Sequence, residues 1–212
     1  MAKNLIKIDI VSDTVCPWCF IGKKYLEKAM RSCEDKFDFE VRWHPYMLNP
    51  NAPKEGVNKL EHYKQKFGST RVQSMVERVG QVFAGLGVQY SMGGKTGNTL
   101  DSHRLIALAG RQGLEKQNNL VEELFLNYFA EEKHLGDRQV LLNAAHKVGI
   151  EGAEQLLDDP NAGVKEIHEE IQKYARGVNG VPHFTIGDRI QLSGAQPPQS
   201  FVEAFEVAAK PQ

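Results

Sequence analysis

The chain has 212 residues, 26 basic against 27 acidic side chains, and 41% hydrophobic content. That length supports a sizeable core, and the composition excludes an intrinsically disordered or collagen-like chain. Balanced charge argues against a nucleic acid or an anionic membrane held by bulk electrostatics, and no apolar run is long enough for a transmembrane helix. Three cysteines, an odd and small number, exclude a disulfide-stapled framework. Met1 to Lys7 lacks the apolar run of a secretory leader, so a cytoplasmic location is expected.

Ile6, Ile8 and Ile10 alternate with Lys7 and Asp9, which predicts a strand over residues 5–11 with one face toward a core. Ser12-Asp13-Thr14 ends it. Pro17 then stands where a helix tolerates proline best, at its first position, and Ile21, Tyr25, Leu26, Ala29 and Met30 repeat at helical spacing to about Cys33. Phe37, Phe39, Val41 and Trp43 alternate again, giving a second strand.

After the turn-rich Leu48 to Pro53 the texture becomes helical for over a hundred residues. Apolar stripes run through Val72–Leu86, Leu120–Phe129, Val140–Val148 and Val164–Tyr174, with Asp137 and Gly149 suited to cap the third. The glycine-rich stretch 91–97 is expected as a loop between helices. Strand texture returns after Gly177: His183–Ile186 and Arg189–Leu192 flank Gly187-Asp188 as a hairpin, and Phe201, Val202, Phe205 and Ala208 mark a closing helix. The expected fold class is α/β, with a β-α-β half and a β-β-α half (1–50 and 176–212) around an all-helical insertion (51–175).

The chemistry centres on Cys16-Pro17-Trp18-Cys19, placed where a strand hands over to a helix. A helix N-terminus carries about half a positive charge and several unpaired N–H groups, which together stabilise a thiolate and make the sulfur nucleophilic. Cys16 occupies that position. Cys19, one turn inside, can close a disulfide with it, so Cys16 is assigned as the attacking sulfur and Cys19 as the resolving one. The competing readings are two buried cysteines at a coincidental spacing, or half of a zinc site. The zinc reading lacks ligands: Cys33 stands alone, and only His44 and His183 are plausible neighbours. No metal is expected.

The run Ser12 to Gly22 with its CPWC, followed far downstream by Gly180-Val181-Pro182-His183-Phe184, resembles the DsbA-like branch of the thioredoxin superfamily. More narrowly it resembles the cytoplasmic FrnE-like subfamily, supported by residues 43–50, 98–105 and 194–197. The resemblance spans nearly the whole chain. It implies a thioredoxin-like fold with a helical insertion, and a cis bond before Pro182 that faces the cysteines. It also implies that Val181 offers backbone groups to an extended substrate.

Trp18 is a candidate substrate contact, or else packs over the helix start. His103 is a candidate polar contact reaching the cleft from the insertion, although an ordinary structural hydrogen-bonding role on a helix face is the favoured reading. Asp13 is expected to terminate the first strand, with tuning of a thiol by its charge as the alternative, and Cys33 to be a half-buried small residue.

These readings predict a thiol–disulfide oxidoreductase that exchanges with protein or small-molecule thiols and disulfides. The sulfur pair itself is the redox centre, with glutathione as a candidate co-reductant and no other cofactor. The alternative is a glutathione-dependent transferase or isomerase of the kappa or 2-hydroxychromene-2-carboxylate isomerase type, relatives that typically carry serine where this chain has Cys16. A non-enzymatic holdase is the third reading.

Overall fold

The computed structural model describes residues 3–210. Its order is β1 (Asn4–Ser12), α1 (Pro17–Ser32), β2 (Phe37–Pro45), β3 (Val57–Asn58), α2 (Lys59–Phe67), α3 (Ser69–Gly85), β4 (Lys95–Thr96) and α4 (Leu100–Gln112). It continues with α5 (Leu114–Phe129), α6 (Arg138–Val148), α7 (Ala153–Asp158), α8 (Val164–Tyr174), β5 (His183–Ile186), β6 (Ile190–Ser193) and α9 (Pro198–Ala208). The fold is α/β and thioredoxin-like, with helices α2–α8 between β2 and β5.

The main sheet has the order β2-β1-β5-β6. β1 pairs with β2 in parallel, Asn4 opposite Phe37 through Ser12 opposite Pro45, which requires the crossover that α1 supplies. β5 runs antiparallel to β1, and β6 returns from it through Gly187 and Asp188, both at positive φ. The inward isoleucines of β1, Ile6, Ile8 and Ile10, are buried as their alternation requires. The hydrophobic core is continuous from this sheet into the helices. At the junction Phe20 of α1 lies 4.8 Å from Phe83 of α3 and 5.8 Å from Phe125 of α5, ring centre to ring centre.

Polar groups fasten the same junction. Trp43 lies on an edge strand, and Gln117 of α5 supplies the hydrogen bonds that a further strand would: Trp43 N–H donates to its Oε1 at 3.0 Å, and its Nε2 donates to Trp43 O at 3.2 Å. Buried Lys23 of α1 pairs with Glu122 of α5 at 2.8 Å and with Glu27.

The stripes read from sequence correspond to α3, α5, α6 and α8, and Asp137 caps α6 by accepting from Gln139 N at 2.8 Å, with Gly149 left-handed at its end. The glycine-rich stretch differs from expectation. Lys95 and Thr96 form β4 and pair with Val57 and Asn58, because a two-residue strand is too short to show any alternation.

Candidate active site

Cys16 is the N-cap of α1, in extended conformation (φ −93°, ψ 114°), with Pro17 opening the helix. Its N–H donates to Asp13 O at 3.2 Å, so Asp13–Cys16 is a turn that swings the chain from the end of β1 to the helix start. Cys16 and Cys19 approach to 3.6 Å, and both are free thiols. Cys16 Sγ thus stands at the N-terminal end of a sixteen-residue helix, beside the unpaired N–H groups of its first turn. Cys19 differs in kind. It is fully buried, and burial raises its thiol well above the ordinary value; neighbouring Cys16 raises it further, against smaller opposing effects from Ser12 and the Asp13 backbone.

The Val181–Pro182 bond is cis. Cys16 Sγ donates to Val181 O at 3.5 Å, which brings the chain before β5 against the helix start. Gly22 makes this approach feasible: a Cβ there would lie 3.0 Å from both Pro182 Cγ and Phe184 Cζ. The same closeness leaves Cys16 only 6% exposed beneath the Val181 segment, still more accessible than Cys19 at 0%.

His103 makes the structural hydrogen bonds favoured from sequence. It is buried, and its Nε2–H donates to Tyr46 O at 2.9 Å and more weakly to Asp13 Oδ1 at 3.2 Å. It props the loop behind Cys16 and is not in the wall of the adjoining cavity. Asp13 does more than end β1. Its carboxylate, also buried, accepts Leu48 N–H at 2.8 Å as well as the His103 contact, so it ties the segment after β2 and helix α4 to the turn that carries Cys16.

Beside the cysteine turn lies a cavity of about 240 Å³. Val15, Pro17 and Trp18, which flank Cys16, form one wall, and Arg78 sits over the Trp18 ring at 5.3 Å. Helix α2 forms another. Lys59, His62, Tyr63, Lys66 and Phe67 line the cavity at i, i+3, i+4, i+7 and i+8, one face of a helix. That spacing was the available signal, and it was missed because α2 has no strong apolar stripe of its own. Burial, and then the nearby Cys16, pushes the Tyr63 hydroxyl up to about 12. Burial pulls the Lys59 ammonium down to about 8, which leaves it mostly charged at neutral pH.

With the cysteine pair, the cis-proline segment and the helical cover described, comparison with known proteins places the chain as a whole in a family. The description DSBA-like thioredoxin domain matches residues 7–206. The chain belongs to the DsbA-like thioredoxin family. A crystal structure of a probable DsbA oxidoreductase from Streptomyces coelicolor is 29% identical, with a TM-score of 0.87 over 96% of this chain and 89% of that one. The uncharacterized protein YwbO of Bacillus subtilis is 26% identical over 94% of this chain and 96% of its own. The cytosolic disulfide reductase DsbM from Pseudomonas aeruginosa, 17% identical over 95% of this chain and 97% of its own, shares the fold with a TM-score of 0.62. The DsbA-like family and the Streptomyces neighbour support an oxidoreductase. No helix among the described residues is long and apolar enough to cross a membrane.

Proposed function

We propose that this DsbA-like protein is a thiol–disulfide oxidoreductase whose redox centre is the Cys16–Cys19 pair. The observation that carries the reading is the asymmetry of two thiols 3.6 Å apart: Cys16 at a helix N-cap against the Val181 carbonyl, Cys19 fully buried one turn inside. In the reducing direction, Cys16 thiolate attacks a substrate disulfide, forms a Cys16–substrate bond and expels one substrate thiolate. Cys19, losing its proton, then attacks Cys16 Sγ. The second substrate thiol leaves, and the Cys16–Cys19 disulfide holds the two-electron oxidation. The oxidising direction is the reverse.

Substrates are protein or small-molecule thiols and disulfides. Val181 and Pro182 are assigned to hold an extended substrate chain beside Cys16, and Trp18 to contact its side chains; His103 is a positioning residue. No metal or organic cofactor is required, and glutathione serves as a co-reductant. The three-cysteine composition supports a cytoplasmic site of action. A second thiol within reach of Cys16 favours exchange over a transferase or isomerase route with a single nucleophile.

The test is insulin reduction with a thiol reductant, run beside glutathione conjugation to an electrophilic aromatic substrate. Insulin chains should separate at a rate that depends on Cys16. Conjugation without insulin reduction would contradict the proposal and favour the glutathione-transferase reading.

A further inference from the structure

Lys59 is 2% exposed, yet no carboxylate lies within ion-pair distance of its ammonium among the described residues. Its contacts are the Tyr128 carbonyl at 2.9 Å and the Tyr128 ring, 3.8 Å from Nζ to the ring centre. An ammonium has three protons to place, and a buried cation without an anion is costly. Glu132, the carboxylate whose charge Lys59 feels, forms no ion pair with it and accepts from Ser91 Oγ at 2.6 Å through one oxygen. Lys59 therefore forms part of the cavity wall as a cation with no carboxylate in contact with it among the described residues.

A second, independent feature surrounds the same cavity. Leu48, Val57 and Phe67 belong to its lining and are exposed at 47%, 38% and 37%, three of the five large apolar side chains exposed on the described surface. Inside are the rings of Tyr63, Tyr90 and Tyr128. Apolar rim, aromatic walls and one buried cation in a cavity beside the cysteine turn fit an amphipathic occupant: an acid group on an apolar or aromatic body that carries sulfur.

We propose that the cavity selects small disulfides bearing a carboxylate on an apolar body, and that Lys59 is the residue that recognises the carboxylate. This rests on the disulfide-exchange reading above. The acid group pairs with Lys59 while the sulfur reaches Cys16 past Val15 and Trp18. Cys16 takes one half of the disulfide and releases the other as a thiolate; Cys19 then releases the second half. Substrate gains two electrons and the protein loses two.

The experiment is a single turnover of fully reduced protein with 5,5′-dithiobis(2-nitrobenzoic acid), compared with its neutral bis-carboxamide. Each molecule consumed should yield two nitrothiophenolates and one Cys16–Cys19 disulfide. Replacement of Lys59 by Met should lower the ratio of acid to amide rate constants about tenfold, the worth of one lost ionic contact, and Lys59→Arg should restore most of it. An unchanged ratio would overturn the proposal. Should the Met variant fail to fold, inhibition of the unaltered protein by 2-nitrobenzoate against 2-nitrobenzamide decides: tighter inhibition by the acid supports the assignment, and equal inhibition refutes it. Failure to react with either disulfide would instead remove the exchange reading on which the proposal stands.

Discussion

At the scale of single residues, the three cysteines are distinguished by position more than by exposure. Cys16, Cys19 and Cys33 are 6%, 0% and 3% exposed, so accessibility alone separates them little. Cys16 alone stands at a helix N-cap, whereas Cys19 is held protonated by burial. Iodoacetamide labelling of the reduced protein at neutral pH should therefore modify Cys16 first. Peptide mapping that found Cys19 or Cys33 labelled ahead of it would reverse the assignment of roles. The cysteine pair was legible in the sequence because a strand before it and a helix after it are encoded locally. Asp13 and His103 were not, since each acts through a partner that is 90 residues away in the chain. Lys59 was hidden for a related reason: a lysine at the start of a short, polar helix is ordinarily a solvated one, and its packing on Tyr128 is a contact between residues 69 apart in the chain.

At the scale of elements, β1, α1, β2, the β5–β6 hairpin and α9 could be read directly from periodicities of two and 3.6, because each keeps one face on the core. The short α2 and α7 could not, since their burial comes from neighbours rather than from a wide apolar stripe. Helix α8 is fastened to the sheet by a cluster around His44, a residue the sequence offered only as a possible zinc neighbour. His44 of β2 stacks on Tyr174 at 3.5 Å, with Nε2 2.6 Å from Asp9 Oδ1 and Nδ1 3.4 Å from Glu170 Oε2. Burial disfavours the imidazolium, but the Asp9 and Glu170 carboxylates outweigh it and raise His44 above its ordinary 6.5. A raised folded-state value means that the stabilisation is fully present below pH 6.5 and is lost as pH rises through the folded value. His44→Gln should accordingly cost about 2 kcal/mol near pH 6 and less above pH 8, as measured by urea unfolding. An equal cost at both pH values would show that His44 contributes only packing.

At the scale of the whole molecule, the helices between β2 and β5 are joined to the sheet by one core, as the Phe20 contacts and the Gln117 bonds to Trp43 show. The sequence announced a helical segment between two halves of an α/β unit, but not how the segment packs against it. That depends on side chains such as Phe20, Phe83 and Gln117 finding one another across the chain. The outcome is a cavity with the cysteine turn on one side and α2 on the other. The central claim is that Cys16 attacks and Cys19 resolves, and the most direct measurement is trapping. Intramolecular attack by a sulfur already in place outpaces external thiols. Without Cys19 the mixed disulfide should therefore persist. The Cys19→Ala protein should accumulate covalent substrate adducts, seen as reductant-sensitive bands on a non-reducing gel, and Cys16→Ala should show none. Full insulin-reductase activity in Cys19→Ala, with nothing trapped, would contradict the two-cysteine mechanism.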